Sequence, residues 1–253
     1  MPIKYIRKLT GHERDQQADR HLGYSLAFIA GAMNAGGFLA VGQYTSHMTG
    51  IVSSMADAAA LGAEWIALAG FTSVLAFLAG AATTALLINW ASRRKLRSRY
   101  ALSLLLEAAL LLLFGLAGAH LKDYREFLAP TTVLLLCFIM GLQNAIITKI
   151  SGAVIRTTHV TGLSTDIGIE LGKLFYVNRC RTPQPAVRAN RAKLKLHTLL
   201  LCSFCSGGVL GALGFKRAGF SAAIPLALWL AVLASIPVLD DIWLRWRLFR
   251  QRR

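Results

Sequence analysis

Two short strings place hydroxyls, an imidazole and a glycine beside long apolar stretches. They are Thr45-Ser46-His47-Met48-Thr49-Gly50 and Thr157-Thr158-His159-Val160-Thr161-Gly162. Each precedes a short segment that can be helical. A helix start carries unpaired N–H groups and about half a positive charge. Thr49 and Thr161 are expected as its N-caps. If the segments dip into a bilayer, irregular backbone at that depth must be buried in protein or line a cavity. N–H groups, Thr hydroxyls and the imidazoles of His47 and His159 would then surround a polar or anionic ligand. The plainer alternative is that these groups only satisfy loop backbone. No Cys, His or acid sits at ligand spacing nearby, so no metal is expected. No cofactor is implied either.

The same argument reaches four more positions. Asn34 and Asn144 lie past the centre of apolar stretches and are candidates to line a pathway, together with Gln143 and Thr158. The alternative for the asparagines is an amide bonded to a neighbouring helix, a contact of only about 0.6–2 kcal/mol in membranes. Gly31 and Gly141 sit three positions earlier on the same helix face, where they would let another backbone approach. Among the acids, Glu107 interrupts a Leu-rich run, where an unpaired charge is expensive. Asp166 is expected in the first turn of its short helix, where a carboxylate suits the dipole. Both are candidate coupling acids. Glu170 and Lys173 are spaced for a pair on one helix surface.

Other chemistries find no support. There is no nucleotide loop, nucleophile elbow or zinc-protease string. Ser46 and His47 are adjacent, and neighbours on a helix or strand point to different faces. Cys202 and Cys205 form a CxxC inside an apolar block without a second pair, which fits small packing residues better than redox work. The expectation is a protein that is not an enzyme.

The elements that must position these residues follow from composition. Of 253 residues, 55% are hydrophobic and 16% charged, with mean hydropathy +0.51. The apolar residues gather in blocks about as long as a bilayer is thick, roughly 20 residues. Clear blocks run over 22–42, 66–90, 101–120, 130–148, 198–215 and 221–239. The first is expected to stay as a membrane helix rather than be cleaved. Residues 49–63 and 159–178 are short or carry charge.

The net charge of +16 sits in clusters at Lys4–Arg20, Arg93–Arg99, Arg179–Lys195 and Arg245–Arg253, all outside the apolar blocks. That distribution reads as cytoplasmic flanks and contact with anionic lipid, not nucleic-acid binding. With all four clusters inside, segments 49–63 and 159–178 make no net crossing, and both termini are cytoplasmic. Lys216 and Arg217 then fall outside, a mild conflict.

A duplication agrees with this count. Gly31-Ala-Met-Asn34-Ala35 matches Gly141-Leu-Gln-Asn144-Ala145, the two Thr-rich strings match next, and Leu61-Gly62 matches Leu171-Gly172. The order and spacing are nearly constant. Each copy holds three crossings, so the second enters the membrane upside down, as in many transporters.

These strings resemble the YoaK-like family, bacterial membrane proteins grouped as a domain of unknown function. In the family pattern the first copy reads G-x-x-D-A and then H-M-T-G-N; the second reads G-x-Q-N-A and then T-T-x-x-T-G. The second copy fits at Gly141, Gln143, Asn144, Ala145, Thr157, Thr158, Thr161 and Gly162. The first departs at Asn34, where an Asp is usual, and at Ile51, where an Asn is usual. Asn cannot titrate, so any proton coupling through that Asp is lost here or moved to another group. The resemblance covers roughly residues 20–240 and implies a multi-spanning bacterial inner-membrane protein without an established substrate.

The sequence thus predicts an all-α polytopic membrane protein with about six spanning helices and two short re-entrant or broken ones, in a 3+3 inverted repeat. A basic segment 1–21 precedes a first repeat at 22–120; a second repeat at 129–239 precedes a basic tail at 240–253. The expected function is a transporter or channel for a small polar or anionic solute. The alternative is a membrane scaffold or accessory subunit whose polar motifs serve packing. The expected partners are the lipid bilayer and the solute, and self-association into a homo-oligomer is compatible with the sequence.

Overall fold

The structure is a computed structural model that describes residues 16–96, 98–120, 125–178 and 186–251. The regular elements among these residues are all helices, with no strand. The helices are α1 (Gln16–Val41), α2 (Met48–Ala60), α3 (Glu64–Arg93), α4 (Ala101–His120), α5 (Arg125–Ser151), α6 (Val160–Phe175), α7 (Arg191–Ala218) and α8 (Ala223–Gln251). A 3₁₀ turn, Gly219–Ala222, joins the last two. The basic cluster at Lys4–Arg20 lies largely outside the described residues, and that at Arg179–Lys195 is described from residue 186 on.

Among the described residues four stretches are long and apolar enough to cross a membrane: Gln16–Leu39, Glu64–Arg93, Pro130–Ser151 and Arg191–Trp243, the last holding α7 and most of α8. Ala101–Leu116 is apolar but shorter. The two ambiguous segments form α2, of 13 residues, and α6, of 16. At 1.5 Å per residue they extend about 20 and 24 Å, less than the roughly 30 Å hydrocarbon core.

Helices α1 and α5 form the centre. Leu22, Leu26, Ile29 and Met33 on α1 and Leu136, Ile139, Met140 and Ile146 on α5 have no exposed surface. The two run antiparallel, since Gln143 reaches Leu26 while Leu136 lies by Gly37. Around them α7 packs parallel to α1, and α3 packs on α5. Helices α4 and α8 pair antiparallel, with Ser98 near Asp241 at one end and Gly115 near Ile224 at the other. Large apolar side chains face outward on α3, α7 and α8, including Trp65, Leu86, Trp90, Val209, Leu228 and Val232. So much exposed apolar surface suits lipid rather than water.

The close crossings share one device. Phe28-x-x-Gly31 on α1 meets Phe204-x-x-Gly207 on α7, and Phe77-x-x-Gly80 on α3 meets Phe138-x-x-Gly141 on α5. A Cβ on Gly31 would collide with the Phe204 carbonyl, and one on Gly207 with the Phe28 carbonyl. Gly141 and Gly80 meet the Phe77 and Phe138 carbonyls in the same reciprocal way. Without a side chain between them, backbones touch, and van der Waals contact holds helices that no hydrophobic effect drives together in lipid.

Candidate functional site

The two Thr-His-Thr-Gly strings lead into the starts of α2 and α6, and both are built alike. Gly42 and Gly152, at φ 73° and 59°, end α1 and α5 and let the chain reverse. It then runs back along the helix it has just left. Asn34 lies seven residues before Val41, the end of α1, so a segment bound there has retreated about 10 Å. The Asn34 Oδ1 accepts from the Ser46 backbone N–H at 3.2 Å and from Ser46 Oγ at 2.9 Å. Asn144 lies seven residues before Ser151, the end of α5, and accepts from Thr158 Oγ1 at 2.7 Å. Each asparagine therefore anchors the entrance to a short helix.

The N-caps differ from expectation. His47 and His159 occupy those positions, at φ −95° and −84°, and neither makes a side-chain capping bond. Thr49 and Thr161 fall one turn-position inside their helices and are exposed. The reason lies three residues beyond each histidine. The rings of His47 and His159 lie where a Cβ on Gly50 or Gly162 would be, so the glycine makes room for the imidazole. This accounts for the spacing in the repeated string. Asp166 is also displaced, since α6 begins at Val160 and its first turn holds no acid.

Thr45 and Thr157 open the two strings. Both are fully buried, and their hydroxyls have no hydrogen-bond partner among the described residues. Gln143 does not join the site. It is fully buried and donates from Nε2 to the Leu26 carbonyl at 2.6 Å, tying α5 to α1. Gln143→Leu is expected to cost about 1 kcal/mol of stability in a detergent unfolding titration. Ligand affinity should stay unchanged.

Around α6 the structure gathers charges from distant parts of the chain. A cavity of about 500 Å³ is lined by Arg156, His159, Thr161, Asp166 and His197, among others. A second, of about 370 Å³, shares Asp166 and His197 and adds Arg20 and Lys193. Lys193 Nζ donates to Asp166 Oδ1 at 2.9 Å, and His197 Nδ1 lies 3.4 Å from Asp166 Oδ2. Glu170, nearly buried, takes the expected bond from Lys173 at 2.8 Å and another from the Asn190 N–H at 2.6 Å. Asn190 in turn caps α7 through the Lys193 N–H. This network pins α6 to the start of α7. Sequence reasoning missed Arg156, Lys193 and His197: Lys193 reads as one more residue of a basic flank, and no local pattern marks the other two.

The Asp166 carboxyl is held below its ordinary value, chiefly by the hydrogen bond from Lys193. The Glu170 carboxyl is lowered by Lys173 and by the Asn190 N–H. A lowered carboxyl adds stability above its unfolded value and loses it as pH falls through the folded one. The stability that the Asp166 carboxylate adds through Lys193 should therefore be lost as pH falls below about 4, so the difference between wild type and Asp166→Asn shrinks there. Thermal unfolding of both proteins as pH falls checks it. Glu107 differs. It is buried on α4, and neither carboxyl oxygen has a hydrogen-bond partner among the described residues.

The fold and site define a helical protein with several stretches of membrane-spanning length, built around two short helices that start against its central pair. A family model described as a protein of unknown function (DUF1275) matches residues 22–236, and the chain belongs to that family. No curated protein and no solved structure matches the chain.

Proposed function

We propose that the chain is a bacterial inner-membrane transporter or channel for a small polar or anionic solute, with its pathway between two inverted repeats. The observation that carries this reading is the pair of turned-back segments, one anchored on Asn34 and the other on Asn144. Because α1 and α5 are antiparallel, these segments turn back toward the middle from opposite ends of the centre. Short helices whose starts point toward mid-depth are a recurrent way to present N–H groups to a solute. Their exposed faces carry His47, Thr49, His159 and Thr161.

The helix directions support six crossings with both termini in the cytoplasm. Alternating α1, α3, α4, α5, α7 and α8 satisfies every pairing described above. The reciprocal Phe-x-x-Gly crossings support the duplication, since exchanging the halves turns one crossing into the other. The resemblance to the YoaK-like family supports the bacterial inner membrane. Of the two candidate coupling acids, Asp166 is engaged by Lys193, whereas Glu107 has no hydrogen-bond partner among the described residues.

Cysteines placed at Thr49 and Thr161 test the pathway. Each should react with a small membrane-impermeant thiol reagent, the first faster from outside and the second faster from inside. Protection of both from both sides defeats the transport reading. A scaffold or accessory subunit is the second reading, and one observation favours it: Asn34 and Asn144 direct their amide oxygens at the protein's own chain.

A further inference from the structure

The two halves share anchors and crossings but not charge. Aligning His47 with His159, and Phe77-x-x-Gly80 with Phe204-x-x-Gly207, pairs Arg156 with Tyr44, Asp166 with Ser54, Lys193 with Ile66 and His197 with Gly70. A structural network needed by the fold itself would be expected in both copies. This one occurs only where α6 meets α7.

We propose that the cavity at the start of α6 is an oxyanion site, taking a phosphate-type group on the side of the protein where α1 and α7 begin. This deepens the transport reading and rests on it for the role of the site, though not for binding itself. Arg156 is exposed at the cavity rim, Arg20 and Lys193 line the adjoining space, and the α6 start presents backbone N–H groups beside His159. Against these stands one carboxylate among the described lining residues, Asp166. An independent sign of an absent ligand is His197. It is 4% exposed and lines both cavities, and its Nδ1 faces the Asp166 carboxylate at 3.4 Å without a hydrogen bond among the described residues. A buried ring nitrogen without a bond is a group that a bound anion or its water would satisfy.

Asp166 has a particular place in this arrangement. Its carboxylate is the anion that the cations hold when the site has no other, with Lys193 bonded to it directly. An incoming oxyanion competes with that carboxylate for Lys193. Removing the charge of Asp166 should therefore strengthen binding, while removing a cation should weaken it. A residue that merely shapes the cavity would weaken binding in both cases.

The shared chemistry admits a free anion or the phosphate of a lipid headgroup, and the assay separates them. Full-length protein in an uncharged detergent is dialysed against labelled inorganic phosphate. In parallel, lipid retained by protein in phosphatidylcholine discs, with and without phosphatidylglycerol, is measured by native mass spectrometry. Saturable binding in either arm is expected. Arg156→Gln should weaken it on the order of tenfold, as loss of a charge-assisted bond does. Asp166→Asn should tighten it severalfold. His159→Gln serves as a second lining variant and should also weaken it. Phosphate binding identifies a free oxyanion, and phosphatidylglycerol retention without phosphate binding identifies a headgroup. No binding in either arm, or binding that Arg156→Gln and His159→Gln leave unchanged, or that Asp166→Asn weakens, overturns the proposal. Thiol labelling at positions 49 and 161 is read separately, so loss of the oxyanion site and loss of the pathway are told apart.

Discussion

Leucine at Gly141 is expected to abolish folding of the protein in detergent or lipid, and alanine there to destabilise it by about 1–3 kcal/mol or more. The reason is the backbone contact. The new Cβ of Gly141 would collide with the Phe77 carbonyl, and carbonyl oxygens held in a helix cannot turn aside as a flexible side chain does. The helices must separate, and every van der Waals contact at the crossing weakens with distance. Gly31, Gly80 and Gly207 should behave alike. Pairs of alanine variants give the sharper measurement. Gly31 and Gly207 share one crossing, so once the helices have moved for the first Cβ the second should add little. Gly31 and Gly80 belong to different crossings, and their costs should add within about 0.5 kcal/mol. Reversible unfolding in mixed micelles, or yield of monodisperse protein for the leucine variants, provides the readout. Wild-type stability in Gly141→Leu would mean that the crossings are looser than described.

The second large effect concerns the anchors. Asn34→Leu together with Asn144→Leu should release both short helices from the central pair while leaving the glycine crossings intact. Asn34 accepts two bonds from Ser46, which is 9% exposed, and Asn144 accepts one from Thr158. Each lost anchor should cost about 1–3 kcal/mol, roughly a five- to 150-fold change in the balance between attached and detached states. The expected result is a protein that still folds but whose cysteine at position 49 or 161 loses its preference for reagent from one side. Asn34→Asp retains the acceptor and should preserve that preference. If Asn34→Leu and Asn144→Leu leave labelling unchanged, the asparagines do not hold the short helices.

The same residues mark how far the sequence could be read. The repeated Thr-His-Thr-Gly string was legible because its residue types are unusual beside apolar blocks, and its recurrence pointed to two related sites. The first short segment, 49–63, was legible by length, whereas 159–178 was long enough to cross and only its charges set it apart; its helix has 16 residues. The capping residue was not. Thr is the better capping side chain by propensity, but the room that Gly50 and Gly162 give the imidazoles starts each helix earlier. For Gln143 the sequence could not show its bond to the Leu26 carbonyl, because one polar residue in an apolar helix looks the same whether it meets a cavity or a neighbour's carbonyl.

Local chemistry, then, decided by itself that this chain is helical, that several stretches suit a bilayer, and that two polar strings recur. Each of those follows from residue type and short-range spacing, which a chain carries before it folds. Tertiary structure alone decided partners. Phe-x-x-Gly occurs on α1, α3, α5 and α7, and nothing in a helix's own sequence names the carbonyl its glycine will meet. Arg20, Arg156 and Lys193 are far apart along the chain and share the space around Asp166 only because α1, α6 and α7 are packed together. Coulomb attraction depends on distance in space, and that distance did not exist until the helices had found one another.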